Sequence, residues 1–442
     1  MNNVASEIVI QGDTVRLGRI EGNLIIDDGA VEASDPDNTV KVTGEVKCIG
    51  DCSIYGNLQT KIITGNRIRA KVTGDLQAGE IDLKRSSLEV YGNLGANTVR
   101  VGNSLYVKGK TDSENINVGG SFKVDDIIRS TRTTVGGSLQ ASNDVKIDYI
   151  SCGGSARVEG NTESVSIKVG GSFRGGNNVR SEDIDVGGSF KAKAEVDVSH
   201  LDVGGTIKIQ GGVIRRSMGV GGSFKSYDFL RFGDLESGGT IKLAGGEGGN
   251  IQVGGSLKSE RDLKFDKINV GGTAKIDGNA EGNSITIGGK LGIYGDLNLS
   301  SELRVGGKAE IRGTVKAESV RVGGRIEANK IESDKFIETY YLRTLRGAKA
   351  PRIELSRRGI AHGPLIGKVI IVKERSSIED VYGDEVHLRS GVRAGKIVGR
   401  RIILEQGCEV DEVIYSEQLR SDSGVRIRVP PKKTEKLPEP PF

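Results

Sequence analysis

The chain has no tryptophan, and only nine phenylalanines and ten tyrosines among 442 residues. So few large rings do not suit the core of a globular protein of this length, whereas a narrow interior filled by Val, Ile and Leu has no need of them. Histidine occurs three times, at His200, His362 and His387, far apart in the chain. No stretch of 18 consecutive apolar residues occurs, and the start, Met1-Asn2-Asn3-Val4-Ala5-Ser6-Glu7, has no basic region leading into an apolar run. A soluble cytoplasmic protein without a transmembrane segment is expected. Charge of one sign is also lacking: 63 Lys and Arg stand against 59 Asp and Glu. That balance does not by itself require nucleic acid or an acidic membrane as partner.

Four cysteines do not make the framework of a secreted, disulfide-stapled domain. Cys48 and Cys52 have a C-x3-C spacing with no second pair, which argues against zinc. Cys152 and Cys408 fall on inward positions of the repeats described next and read as small buried hydrophobes.

Glycine, by contrast, is plentiful at 66 residues. A Gly-Gly pair, most often within Val-Gly-Gly-Ser/Thr, recurs with its first glycine at 119, 136, 153, 170, 187, 204, 221, 238, 254, 271, 288, 306 and 323, and Val101-Gly102-Asn103-Ser104 lies one step upstream. Successive first glycines are seventeen apart in ten of the twelve intervals, sixteen apart in one and eighteen apart in one. Such a repeat is too short for a helical hairpin but long enough for one coil of short strands. Counting from the first glycine, position 4 is apolar in every unit, as in Phe122, Phe173, Phe190 and Ile207. Position 6 gives Val124, Val158 and Ile209; position 10 gives Ile128, Val179, Val196 and Val213. Position 15 gives Ile150, Ile184, Leu201 and Met218, and position 17 gives Val135, Val186, Val203 and Val220. Lys, Asp, Glu, Ser and Arg lie between them. This is period-2 alternation broken at corners, and it predicts an all-β, elongated parallel β-solenoid with like residues stacked coil upon coil. The Gly-Gly pair marks a corner that needs either a backbone conformation or a close approach that a Cβ obstructs, and the hydroxyls at position 3 suggest a ladder beside it.

In chain order, residues 1–101 carry the same grammar more loosely, with turn glycines at Gly22, Gly44, Gly56, Gly74 and Gly92 and a loop at Ala33-Ser34-Asp35-Pro36-Asp37-Asn38. The first residues either cap the bottom coil or leave it open. Residues 102–336 form the regular 17-residue solenoid, and residues 337–366 read as an irregular junction or degenerate coils. Residues 367–430 form a 16-residue register without Gly-Gly corners. Its five inward columns are Ile370, Val386 and Ile402; Val372, Leu388 and Leu404; Ser376, Val392 and Cys408; Ile378, Ala394 and Val410; and Val381, Ile397 and Val413. Residues 431–442, rich in proline, are expected to be a disordered tail.

No catalytic, cofactor-binding or metal-binding residue emerges. His200 precedes inward Leu201 and His387 lies between inward Val386 and Leu388, so alternation turns both outward. Asp125-Asp126 and Glu379-Asp380 are neighbours on one surface rather than an acid and base across a cleft. The Gly-Gly corners lack the P-loop pattern and a following helix, the calcium-binding G-G-x-G-x-D repeat is missing, and the apolar hexads of acyltransferase solenoids are absent. The expectation is a protein that is not an enzyme and needs no cofactor. A glycan-binding reading has only scattered Tyr55, Tyr91, Tyr106, Tyr149 and Tyr227 in its favour. A nucleic-acid clamp could draw on Arg357, Arg358, Arg400, Arg401, Lys432 and Lys433, with acids nearby.

The V-x-G-D/N-L and V-G-G-S units, together with V-Y-G-D-E-V-H-L-R-S-G (381–391) and I-L-E-Q-G-C-E-V (403–410), resemble the bactofilins, a polymer-forming cytoskeletal family. The resemblance implies a right-handed solenoid that associates end to end without nucleotide, near a membrane in some members, and it carries over no catalytic residue. This chain departs from the family's plan in having many more coils and two registers. The expected function is a structural scaffold that self-associates, with protein scaffold partners possible. The alternative is a repetitive binding module for a polysaccharide, a nucleic acid or a protein.

Overall fold

Alternating apolar and polar residues form strands with one buried face, and the interruptions in each repeat fold those strands into coils that bury their faces together. The computed structural model describes residues 6–441. Its strands pair in parallel throughout, and there is no helix among the described residues. Two units are distinguished, Met1–Gly221 and Gly222–Phe442, and each is a parallel β-solenoid.

In the first unit, Val179–Val186 shows how one coil is made. Val179, Ser181, Ile184 and Val186 are buried, and two successive exposed residues, Glu182 and Asp183, reset the alternation at a corner. The one polar residue turned inward there is satisfied: Ser181 Oγ donates to the carbonyls of Val165, at 3.2 Å, and Asp183, at 3.1 Å. Each coil then sets like upon like. Val179 pairs with Val196, Ile184 with Leu201 and Val186 with Val203. Phe173 and Phe190 stack with ring centroids 5.3 Å apart. Full burial of such a side chain is worth about 1.5–3 kcal/mol, so every coil added extends a continuous apolar interior.

The inward columns are buried as the spacing predicts, with one correction. Val213 is only half-buried, and Gly212 takes its place above Val196. The chain comes one residue early there, so Gly211 and Gly212 pair with Glu195 and Val196, and a bulge between Val198 and His200 restores the register. Gly212 has φ 118°, a conformation that a β-branched residue would resist. Equal spacing of the Gly-Gly corners on either side hides this compensated slip.

The first residues build a coil. Ser6–Gln11 pairs with Gly22–Asp27, Thr14–Leu17 with Gly29–Ala33, and Arg19–Ile20 with the strand Thr39–Val42. Whether residues 1–5 add a cap falls outside the described residues. The expected loop at 33–38 is present, closed by Asn38 N–H donating to the Asp35 carbonyl at 2.9 Å.

In the second unit, residues 337–366 belong to the strands Thr314–Lys349, Arg352–His362 and Leu365–Val372 apart from the short breaks at 350–351 and 363–364, and the strands are in parallel register. Their irregularity is local: an insertion is accommodated where Thr339 and Tyr341 face Leu355 and Ile360, and Arg358 turns through φ 57°. All the residues of the five columns between Ile370 and Val413 are buried. Lys432 and Lys433, at the head of the stretch expected to be free, pair with Ile414 and Tyr415, because the edge above that strand is open to receive them.

Candidate functional site

Three features of this fold offer places for function: the terminal edges, the corners and the outward columns.

At the N-terminal edge, Ser6–Gln11 pairs on one side only among the described residues. On its inward face Ile8 is half-buried, although its partner Leu24 is fully buried, while Ile10 is buried; Val9 on the outer face is 61% exposed. No proline occurs before Pro36 to block this edge. The C-terminal edge is more covered. Glu409–Ser421 is overlain at Glu409 and Val410 by Arg426 and Ile427, and at Ile414 and Tyr415 by Lys432 and Lys433. Its last residues, Gln418 to Ser421, pair only with the coil below among the described residues, leaving Leu419 half-buried above Ile402.

The Gly-Gly corners are a matter of space rather than of unusual dihedrals. A Cβ on Gly187 would run into the carbonyl oxygen of Gly170, and one on Gly188 would lie 2.6 Å from that of Gly171. The hydroxyl ladder beside them is partial: Ser155 Oγ lies 3.2 Å from Ser172 Oγ, and Thr240 Oγ1 lies 3.2 Å from Ser256 Oγ. A stronger ladder, missed in the sequence, runs through the Asp and Asn at the other corner. Asn57 Oδ1 accepts from Asp75 N–H at 2.8 Å, Asp75 from Asn93 at 2.7 Å, and Asn93 from Lys110 at 2.9 Å. In the second unit, Asp262 accepts from Asn279, Asn279 from Asp296 and Asp296 from Thr314, at 2.7, 2.9 and 2.7 Å. The Asp/Asn of V-x-G-D/N-L is the signal that marks it.

The outward columns carry most of the ionisable groups. The histidines do not converge; each faces a carboxylate one coil away, His200 Nδ1 lying 2.9 Å from Asp183, His362 Nδ1 3.0 Å from Glu379, and His387 Nε2 2.9 Å from Glu405. The Gly363 N–H and then His362 lower the pKa of Glu379. Asp125 accepts from the Tyr106 phenol at 2.6 Å, which is the main reason that phenol is pushed up to about 12. The tyrosines are overlaid by cations, Lys71 on Tyr91 at 5.1 Å and Arg132 on Tyr149 at 4.9 Å. Arg400 is tied to Asp384 and Glu417, and Arg401 to Glu385 and Glu417, while Arg357 and Arg358 belong to a different coil.

All four cysteines are free and buried; hydrogen bonding with Cys52, and then burial, push the Cys48 thiol well up. No group of three or more His, Cys, Asp or Glu arranged to hold a metal is found among the described residues. No helix among them is long and apolar enough to cross a membrane. A scan against protein-family models gave no match, and neither a search of curated proteins nor one of solved structures returned one.

Proposed function

We propose that this protein is a non-enzymatic structural scaffold that assembles end to end through its open terminal edges, without nucleotide, as bactofilin-like cytoskeletal proteins do. The observation that carries the reading is the strand Ser6–Gln11, which pairs on one side only among the described residues and exposes Val9. An unpaired parallel edge of this kind templates another strand, and a head-to-tail contact between unlike ends propagates instead of closing. Four free, buried thiols fit a cytoplasmic setting.

Electron microscopy and sedimentation of the purified full chain across concentration and salt test this. Filaments should lengthen with concentration and be indifferent to ATP or GTP. Val9→Lys, a charge on an already exposed side chain, should shorten them while leaving the coils folded. A chain that stays monomeric under all these conditions would sink the proposal.

A further inference from the structure

Like positions of successive coils lie about 4.8 Å apart on the outside of a parallel solenoid, so identical charges stacked there repel and cost stability. Most outward columns of the first unit mix signs. Lys146 faces Glu163 at 3.4 Å, and Arg180 faces Asp197 at 3.4 Å. One column does the opposite. Two residues past each Ser/Thr of the corner, Lys123, Gln140, Arg157, Arg174, Lys191 and Lys208 follow one another in register. Lys123 and Arg157 pair with Asp125 and Glu159 two residues on. Arg174, Lys191 and Lys208 are exposed and make no ion pair among the described residues. A row of unneutralised cations is a standing cost that the fold itself does not require.

We infer that this column is a docking track for a linear acidic polysaccharide, a polymer carrying carboxylates along a chain of sugars. Its charge complements the track, and a straight row of single cations suits a straight polyanion. The neighbouring column toward the glycine corner is Ser155, Ser172, Ser189 and Thr206, hydroxyls that both donate to and accept from a polyol. Nucleic acid fits less well. Single strands are held by aromatic platforms, and no aromatic residue stands in either flanking column from Gln140 to Lys208. A duplex winds its phosphates away from a straight line. A bilayer is met by a broad basic face, often with apolar insertion, whereas this track is one residue wide with Glu159 beside it. The second unit has a like column in Lys225, Lys242, Lys258 and Lys275, of which Lys258 and Lys275 are paired with Glu260 and Asp277. It ends at Gly292, after which Glu310 and Glu327 take the position.

The test uses the full chain and fluorescently labelled oligogalacturonate, with neutral dextran, poly(dT) and phosphatidylserine-containing vesicles alongside. Oligogalacturonate should bind in a salt-dependent way and dextran should not. The triple variant Arg174→Gln, Lys191→Gln, Lys208→Gln should weaken binding about tenfold or more and flatten its salt dependence. A charge-matched variant of one other column, Arg129→Gln, Lys146→Gln, Arg180→Gln, should change it by less than about twofold. Because the triple variant removes repulsion between stacked cations, it should melt no lower than the parent; if it does, the single Lys191→Gln variant reads the same loss on a smaller scale. No binding to oligogalacturonate, equal loss in both triple variants, or tighter binding to poly(dT) or vesicles would overturn the proposal.

Discussion

Asp75 accepts, on one carboxylate oxygen, the backbone N–H of Asn93 at 2.7 Å, and Asn93 sits one coil further along the chain. The bond crosses a corner, where strand pairing leaves that N–H without a carbonyl partner. A hydrogen bond to a charged group contributes about 1.5–3 kcal/mol, so Asp75→Ala should lower the hydrogen-exchange protection of the Asn93 amide by about tenfold or more. Asp75→Asn keeps the acceptor and should lose much less. Equal protection in the two variants would contradict the role given to this ladder.

Space at the Gly-Gly corner makes a separate prediction. Gly187→Val pushes a branched side chain against the Gly170 carbonyl, whereas Ser189→Ala removes an exposed hydroxyl. Hydrogen exchange over residues 180–200 should therefore rise strongly in the first variant and little in the second. Gly188→Val should resemble Gly187→Val.

In the second unit, Arg375, Gly391, Gly407 and Gly424 occupy one left-handed turn column, with φ of 59°, 71°, 74° and 75°. An L side chain costs about 1–2 kcal/mol in that conformation. Gly391→Ala should be destabilising by about 1 kcal/mol, and Arg375→Gly should be neutral or stabilising, as read by local exchange around each turn.

Acid should act on Glu310, which lies 2.8 Å from Lys290 Nζ and also pairs with Lys308. The hydrogen bond from Lys290, then that from Lys308, holds its carboxyl at about 2, against an ordinary value of 4.5. Between about pH 4.5 and about pH 2 the unfolded chain takes up a proton that the folded chain does not, so this contribution is complete above that window and fades as pH falls through it. Solvent screening keeps it small, since both partners are partly exposed. Glu310→Gln should be slightly less stable than the parent at neutral pH and should lose less on acidification through that window, as read by melting across a pH series.

Much of this architecture was legible because strict spacing leaves few ways to stack. The apolar columns from Phe122 to Met218, and those from Ile370 to Val413, are buried as their periodicity requires, Val213 excepted. Val213 was misplaced because a deletion and an insertion cancel within one coil, which keeps the glycine spacing and erases the signal. The corner role of Asp75 was hidden for a different reason: a side chain bonded to the backbone of the next coil leaves no local pattern beyond a preference for Asp or Asn. The cationic column was written in the sequence as the Lys or Arg of Gly-Gly-Ser/Thr-x-Lys/Arg. A net charge of only +4 over the whole chain concealed how unevenly the positive charge is placed.

The register of the coils also bears on how the chain is made. Ser6 pairs with Gly22, Val179 with Val196 and Arg69 with Ser87, so each strand finds its partner a single coil away in sequence. Few strands must wait for a distant segment to be synthesised. Despite its length, each unit has the short loop closures usual in fast-folding small proteins, not those of an all-β sandwich. Once about two coils have left the ribosome, each further coil can dock as it emerges, with its predecessor as template.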